Sequence, residues 1–446
     1  MTFITEKQQK DCVEALAHLV SFASVLQEDD SKTPFGQPIQ DALDYTLALA
    51  KSLGFRTYCD DKGYYGYAEV GEGSELLAVL CHLDVVPAGD RTKWLSNPFK
   101  MDIRDGKIYG RGVQDDKGPS MAALFAMKAL LDKGVVLDKR VRFIFGTDEE
   151  TLWRCMNRYN QREEQATMGF APDSVFPLTY AEKGLLQVKL HGKGDASLSL
   201  ECGDAFNVVP AKARYSGEFL EEVTRALDEH HFEYESQDDS VIIVGLAQHS
   251  KDAAKGINAI VRLAKVLSPL YDCPALSFIS QVIGEDATGR SLFGDLSDRE
   301  SGDLSINVAG LTVNERLSEI RLDIRIPVLA DKEALVQQLV TKAADYQLDY
   351  EEYDYLAPLY VPRDSQLVET LMAVYREQTG DLSAPIASGG ATFARTMPNC
   401  VAFGACFPNS PQTEHQENEH MALEDLYKAM TIYAEALYRL AAKHSE

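Results

Sequence analysis

Residues Leu76–Val86 read LLAVLCHLDVV, an almost unbroken apolar run that carries His82 and Asp84 near its end. Such a run predicts a strand buried on both faces, the kind found in parallel sheets covered by helices. The neighbouring sequence agrees. Pro38–Leu53 has helical spacing and stops at Gly54, a residue suited to the left-handed conformation that ends a helix. Pro119–Lys133 opens with proline in its first turn and ends at Gly134. Arg140–Gly146 (RVRFIFG) predicts a second strand. Alternation of this kind implies an α/β fold, a mostly parallel sheet covered by helices.

From about Gly184 the texture changes. The runs LLQVKLHG, SVIIVGL and RLDIRIPV flank helical windows at Asp252–Leu267 and Asp331–Tyr346. They predict an inserted α+β domain over residues 184–362, interrupting a first domain built from residues 1–183 and 363–446. The closing part returns to the earlier style, with a helix at Gln366–Gln378 and a strand at Cys400–Phe403. In the last helix Leu423, Leu426, Met430, Tyr433, Leu437 and Leu440 form one buried stripe.

Lys and Arg number 44 against 69 Asp and Glu among 446 residues, a formal net charge of −25. That excess argues against nucleic acid and anionic membrane surfaces, both of which are bound through Lys and Arg. No stretch approaches the ~18 apolar residues that span a bilayer. The opening MTFITEKQQKDCVEALAHLV lacks the apolar core of a signal peptide. Eight scattered cysteines with no CxxC pair read as reduced thiols, which places the chain in the cytoplasm.

The candidate chemistry lies in the non-inserted part, at the ends of predicted strands, where open α/β sheets place their sites. His82 and Asp84, two apart, point to one side of an extended chain, so Asp84 can orient an imidazole facing a metal. Asp115 and Asp116 precede a helix; Asp148, Glu149 and Glu150 follow a strand. Asp173 lies in GFAPDSVFP and His415 in EHQENEH. Taken singly, each has a bland reading as a solvated acidic loop or a His–Asp pair. Together they are the right size for a two-metal hydrolase, where two ions share a bridging ligand. Spacing does not choose between Asp115 and Asp116, or between His415 and His420. DIRDGK (102–107) reads as an Asp-Gly turn between strands, Cys81 as a buried thiol, and His230-His231 as surface.

HLDVVPAG, GRGVQDDKGP, GTDEE, GFAPDSVFP and HQENE resemble, in order, the motifs of the co-catalytic metallopeptidases that include carboxypeptidase G, aminoacylase, succinyl-diaminopimelate desuccinylase and carnosinase. TLWRCMNRYN, PLTYAEKG and SGGATFARTMPNCVAFGACFP resemble the PepV-type bacterial dipeptidases in particular. The resemblance runs from about residue 76 to 420. It implies that Asp115 bridges two divalent ions, with Asp116 helping to form a cis peptide. His82 and Asp173 would complete one metal site and Glu150 and His415 the other. Glu149 would be the general base acting on a water held between the metals, with Asp84 supporting His82.

In the inserted domain, read as a lid, the resemblance implies substrate contacts at Asn207, His249 and Arg325. His249 would donate to the oxyanion and Arg325 would clamp the C-terminal carboxylate. Relatives usually carry a proline shortly after this His, and SKDAAKG has none. Ser388, Gly389 and Gly390 would approach the substrate backbone. The implied function is hydrolysis of dipeptides, including Xaa-His peptides, by a monomer using zinc, with manganese or cobalt as alternatives. Two readings compete with it: an N-acyl-amino-acid deacylase or desuccinylase on the same metal centre, and a non-catalytic peptide-binding protein.

Overall fold

The computed structural model describes residues 3–27, 33–203 and 205–443. They divide into two compact units. One comprises Met1–Tyr180, Leu359–Ile386 and Ala391–Glu446; the other comprises Ala181–Pro358 and Ala387–Gly390.

The first unit is built on a sheet whose four central strands run parallel: Arg140–Gly146, Leu76–His82, Met168–Ala171 and Cys400–Ala402. Antiparallel strands flank them, with Tyr65–Val70 and Arg56–Cys59 on one side. Every residue of Leu76–His82 is buried, as a strand covered on both faces must be. The strand ends at His82, and Leu83–Val86 continue outside it. Among the helices, Lys117–Asp132 packs against Glu6–Val20 and Leu423–Ala441, and thirteen of its residues are buried. Its second residue is Gly118, where a Cβ would lie 2.0 Å from the Val113 carbonyl oxygen, so the helix start is pressed directly onto the loop before it. Gln37–Ser52 packs against the flanking strands and ends before Gly54, whose φ of 101° suits glycine.

The second unit centres on an antiparallel five-stranded sheet, Leu200–Cys202, Ser305–Val313, Leu317–Ile326, Gly184–Lys193 and Asp349–Leu356 in that order. A three-stranded sheet and the helices Leu220–Glu229, Ala259–Leu267 and Lys332–Asp345 complete it. The window Asp252–Leu267 is not one helix. Ser250–Lys255 is a 3₁₀ segment, and the α-helix begins at Ala259 because the Asn258 side chain accepts from the N–H groups of Ile260 and Val261. Among the described residues no helix is long and apolar enough to cross a membrane. The eight cysteines are free, seven of them buried and Cys59 exposed. Asp105 and Gly106 turn between the strands Asp102–Arg104 and Lys107–Tyr109 at φ of 51° and 71°.

Candidate metal centre

In the first unit the parallel register brings strand ends to one edge of the sheet. His82 pairs opposite Gly146, so His82 and the acids Glu149 and Glu150 leave neighbouring strands together. Asp173 follows strand Met168–Ala171 in the same direction. Asp115 precedes helix Lys117–Asp132, and His415 lies in the loop before strand His420–Ala422.

Asp115 stands between the two imidazoles. Its Oδ1 is 2.9 Å from Nε2 of His82, and its Oδ2 is 3.0 Å from Nε2 of His415. His415 Nε2 is also 3.0 Å from Glu150 Oε2, and His82 Nε2 is 3.7 Å from Asp173 Oδ2. Potential ligand atoms of His82, Glu149 and Asp173 lie within 4.8 Å of one another, and so do those of Asp115, Glu150 and His415. The bond between Asp115 and Asp116 is cis.

The geometry separates residues that spacing left equivalent. Asp116 turns inward, accepting from Ser120 Oγ at 2.7 Å and from the His82 backbone N–H at 3.2 Å. His420 stacks on Tyr109, and its Nδ1 meets the Asn418 carbonyl. Asp84 approaches the His82 ring through both its backbone carbonyl and its carboxylate. The chain bends after the strand, so His82 Nδ1 meets the Asp84 backbone carbonyl at 3.0 Å, and the nearest carboxylate oxygen is 3.6 Å away. The other carboxylate oxygen, Oδ2, accepts from the Glu150 backbone N–H at 3.0 Å and so supports the acidic loop.

Negative charge is crowded here. Burial and Asp173 push Glu149 well above the usual carboxylate range, and burial and Asp115 raise Asp173 and Glu150. Asp115 is held low against burial by His415 and His82. His415 is raised to about 11 by its contacts with Asp115 and Glu150, and His82 is raised well above normal by Asp115 despite its burial. Glu150 Oε1 and Asp84 Oδ1 are buried with no hydrogen-bond partner. Two imidazoles, four acids and an orphaned buried carboxylate oxygen fit divalent cations, which would relieve exactly this repulsion.

Several residues around the centre escaped the sequence reading. Trp153 donates its indole N–H to the Glu149 carbonyl at 2.6 Å and packs edge-on against Phe393, which packs in the same way on His82. Lys117, fully buried, donates to the Leu19 and Phe22 carbonyls. Gln114 and Glu419 tie the Asp115 segment to the His415 segment. Lys117 and Glu419 stood inside the motifs DDKG and HQENE, and a charge within a motif was the available signal.

In the second unit the structure draws Asn207, His249, Arg325 and the glycine loop into one chain of contacts. The Ser250 N–H donates to the Asn207 carbonyl, and Val208 bridges His249. His249 is exposed, and its Nδ1 accepts from the Lys251 N–H at 3.1 Å. A Cβ on Gly389 would lie 2.7 Å from Lys251 Cβ, so only glycine fits at that distance. Gly389 in turn accepts from Arg325 Nη1 at 2.8 Å, and Ser388 Oγ accepts from the Gly390 N–H. Arg325 is buried and makes a forked pair with Asp323, at 2.6 and 3.0 Å.

Comparison with known proteins adds to this geometry. Residues 78–439 match the profile of Peptidase family M20/M25/M40. The chain is 36% identical over 460 residues to "Putative dipeptidase YtjP" of Bacillus subtilis (strain 168), covering 98% of each chain. Its fold is similar to that of human carnosine dipeptidase 1, with a TM-score of 0.60 at 16% identity over 97% of this chain and 96% of that one. It is similar also to the di-peptidase Dug1p of Saccharomyces cerevisiae, with a TM-score of 0.61 at 14% identity over 97% and 96%.

Proposed function

The chain belongs to Peptidase family M20/M25/M40, and from that premise we propose that it is a dipeptidase acting on short peptides with a free amino end. The observation that carries this reading is the pair of ligand groups joined through Asp115. Full-length similarity to a relative named as a dipeptidase supports the substrate class.

M20 peptidases use divalent cations. We read His82 and Asp173 as holding one and Glu150 and His415 as holding the other, with Asp115 between them. Such cations polarise a carbonyl and lower the pKa of water. Glu149 takes the proton of the attacking water and passes it to the departing amine nitrogen, a role suited to a carboxylate whose oxygen lies within 4.8 Å of ligand atoms of His82 and Asp173. Because His249 Nδ1 accepts from Lys251, its proton sits on Nε2, ready to donate to the oxygen that gains charge. Asp323 and Gly389 take three of the five N–H groups of Arg325, and the two that remain are the ones we assign to the substrate's C-terminal carboxylate. Asn207, Ser388, Gly389 and Gly390 complete the substrate contacts in this reading. We infer zinc as the working cation, with manganese or cobalt able to replace it, and Xaa-His dipeptides among the substrates. We further infer a monomer in the cytoplasm.

The test is a panel of free dipeptides, including Xaa-His and β-Ala-His, assayed beside N-acetyl and N-succinyl amino acids with zinc or manganese added. Cleavage confined to the free dipeptides is expected. Cleavage confined to the acylated compounds would overturn the substrate class.

A further inference from the structure

Asp115 and His415 are 300 positions apart in the chain, yet Asp115 Oδ2 and His415 Nε2 stand 3.0 Å apart. Two side chains outside the ligand set account for how that spacing is held. Glu419 is fully buried, and its carboxylate is the meeting point of the segment that carries Asp115. Oε1 accepts from the backbone N–H groups of Gly112, Gln114 and Asp115, at 3.1, 2.8 and 3.2 Å. Oε2 accepts from Gly112 at 3.0 Å and pairs with Arg111 Nη1 at 2.7 Å. Arg111 is itself buried and donates on to the Pro87 carbonyl, close behind the strand that ends in His82.

The second tie runs the other way. Gln114, the residue before Asp115, accepts from the Thr413 N–H at 2.7 Å and from its hydroxyl at 2.9 Å. Its amide donates to the Pro411 carbonyl at 2.9 Å. Thr413 Oγ1 and the backbone of His420 hydrogen-bond each other, which closes the loop 413–420 across its base. His415 therefore projects from a closed loop pinned to the Asp115 segment on both sides, two residues before it and four residues after it.

We propose that Glu419 is a positioning residue for the cation pair, setting Asp115 against His415, with Gln114 as its second anchor. It touches no reacting atom. Its carboxylate is suited to the task because only an anion with two acceptor oxygens satisfies several buried N–H donors and a guanidinium at once. An amide of the same shape has one acceptor oxygen, and its NH₂ would face donors. The proposal rests on the dipeptidase reading only for the identity of what the pair holds.

The test compares wild type, Glu419→Gln and Gln114→Ala after removal of bound cations. Mn²⁺ is titrated calorimetrically, Co²⁺ is followed by its visible absorption, and amide hydrogen exchange is measured on the metal-free proteins. In Glu419→Gln one Mn²⁺ is expected to bind as in wild type and the second about 10- to 100-fold more weakly, the usual effect of losing an outer-shell partner. The cobalt spectrum shifts, and the amides of Gly112, Gln114 and Asp115 exchange faster. At saturating cation the KM for a dipeptide stays unchanged while kcat falls. A purely structural role would lower the melting temperature and leave the spectrum per bound cobalt unchanged. Wild-type affinity for both ions with an unaltered cobalt spectrum would overturn the proposal. If Glu419→Gln does not fold, Gln114→Ala, which leaves the Arg111–Glu419 pair intact, carries the same comparison. A wild type that binds no cation would overturn the metal reading instead, and the exchange rates of the three amides would then decide the tie alone.

Discussion

The indole N–H of Trp153 donates to the backbone carbonyl of Glu149 at 2.6 Å. This fixes the peptide from which the proposed base projects, and the edge-on contacts from Trp153 to Phe393 and from Phe393 to His82 extend the support to the first imidazole. A hydrogen bond of this kind is worth about 1 kcal/mol net. Trp153→Phe keeps the aromatic packing and loses the bond, so kcat should fall roughly fivefold. Cation content, measured by elemental analysis, should not change.

Removal of cations is expected to abolish dipeptide hydrolysis, and re-addition should restore it in step with occupancy up to two ions per chain. The uptake should release protons, because the acids around His415 raise it to about 11 and a cation replaces the proton it then holds. Calorimetry in buffers of different ionisation enthalpy counts those protons.

Arg325 and Asp323 form a pair in which both side chains are buried, at 3% and 0% exposure. Removing one partner of such a pair strands the other charge, at a cost of about 3–5 kcal/mol. Asp323→Ala should therefore lower the denaturant midpoint markedly, and the double change Asp323→Leu with Arg325→Met should recover most of the loss.

His249 has its pKa lowered to about 4 by desolvation and by the positive charges of Arg325 and Lys251. A histidine depressed in the folded state contributes stability above its ordinary value near 6.5, and that contribution is lost as pH falls through about 4. The ring should stay neutral from pH 8 down to about pH 5 in an NMR titration. Its donor capacity on Nε2 would then be present throughout that range.

Much of the first unit was legible because long-range demands left local marks. A strand covered on both faces is mostly apolar, so Leu76–His82 and Arg140–Gly146 announced themselves, the buried Arg142 in the latter being paired with Glu69. Helix ends marked by Gly54 and Gly134 were equally plain, since left-handed φ selects glycine. Asn258 was missed as a cap, and with it the break in the window Asp252–Leu267, because apolar periodicity runs on across a cap. At the candidate centre, spacing could not separate Asp115 from Asp116. Both precede the same helix, and the difference lies in Ser120 and the His82 backbone, which only the folded chain brings near Asp116. The backbone contact from Asp84 to His82 Nδ1 was not legible, because the chain leaves strand geometry at His82. Glu419 and Gln114 act on backbone N–H groups about 300 residues away, and nothing local in a sequence records such partners.

The most direct test of the account is free-dipeptide hydrolysis by Glu149→Gln reconstituted to two cations per chain, beside wild type treated in the same way. Loss of the base with the ligands intact should lower kcat by about 10²–10⁴-fold while cation content stays at the wild-type level. Full activity in that variant would contradict the assignment of Glu149 and the mechanism built on it.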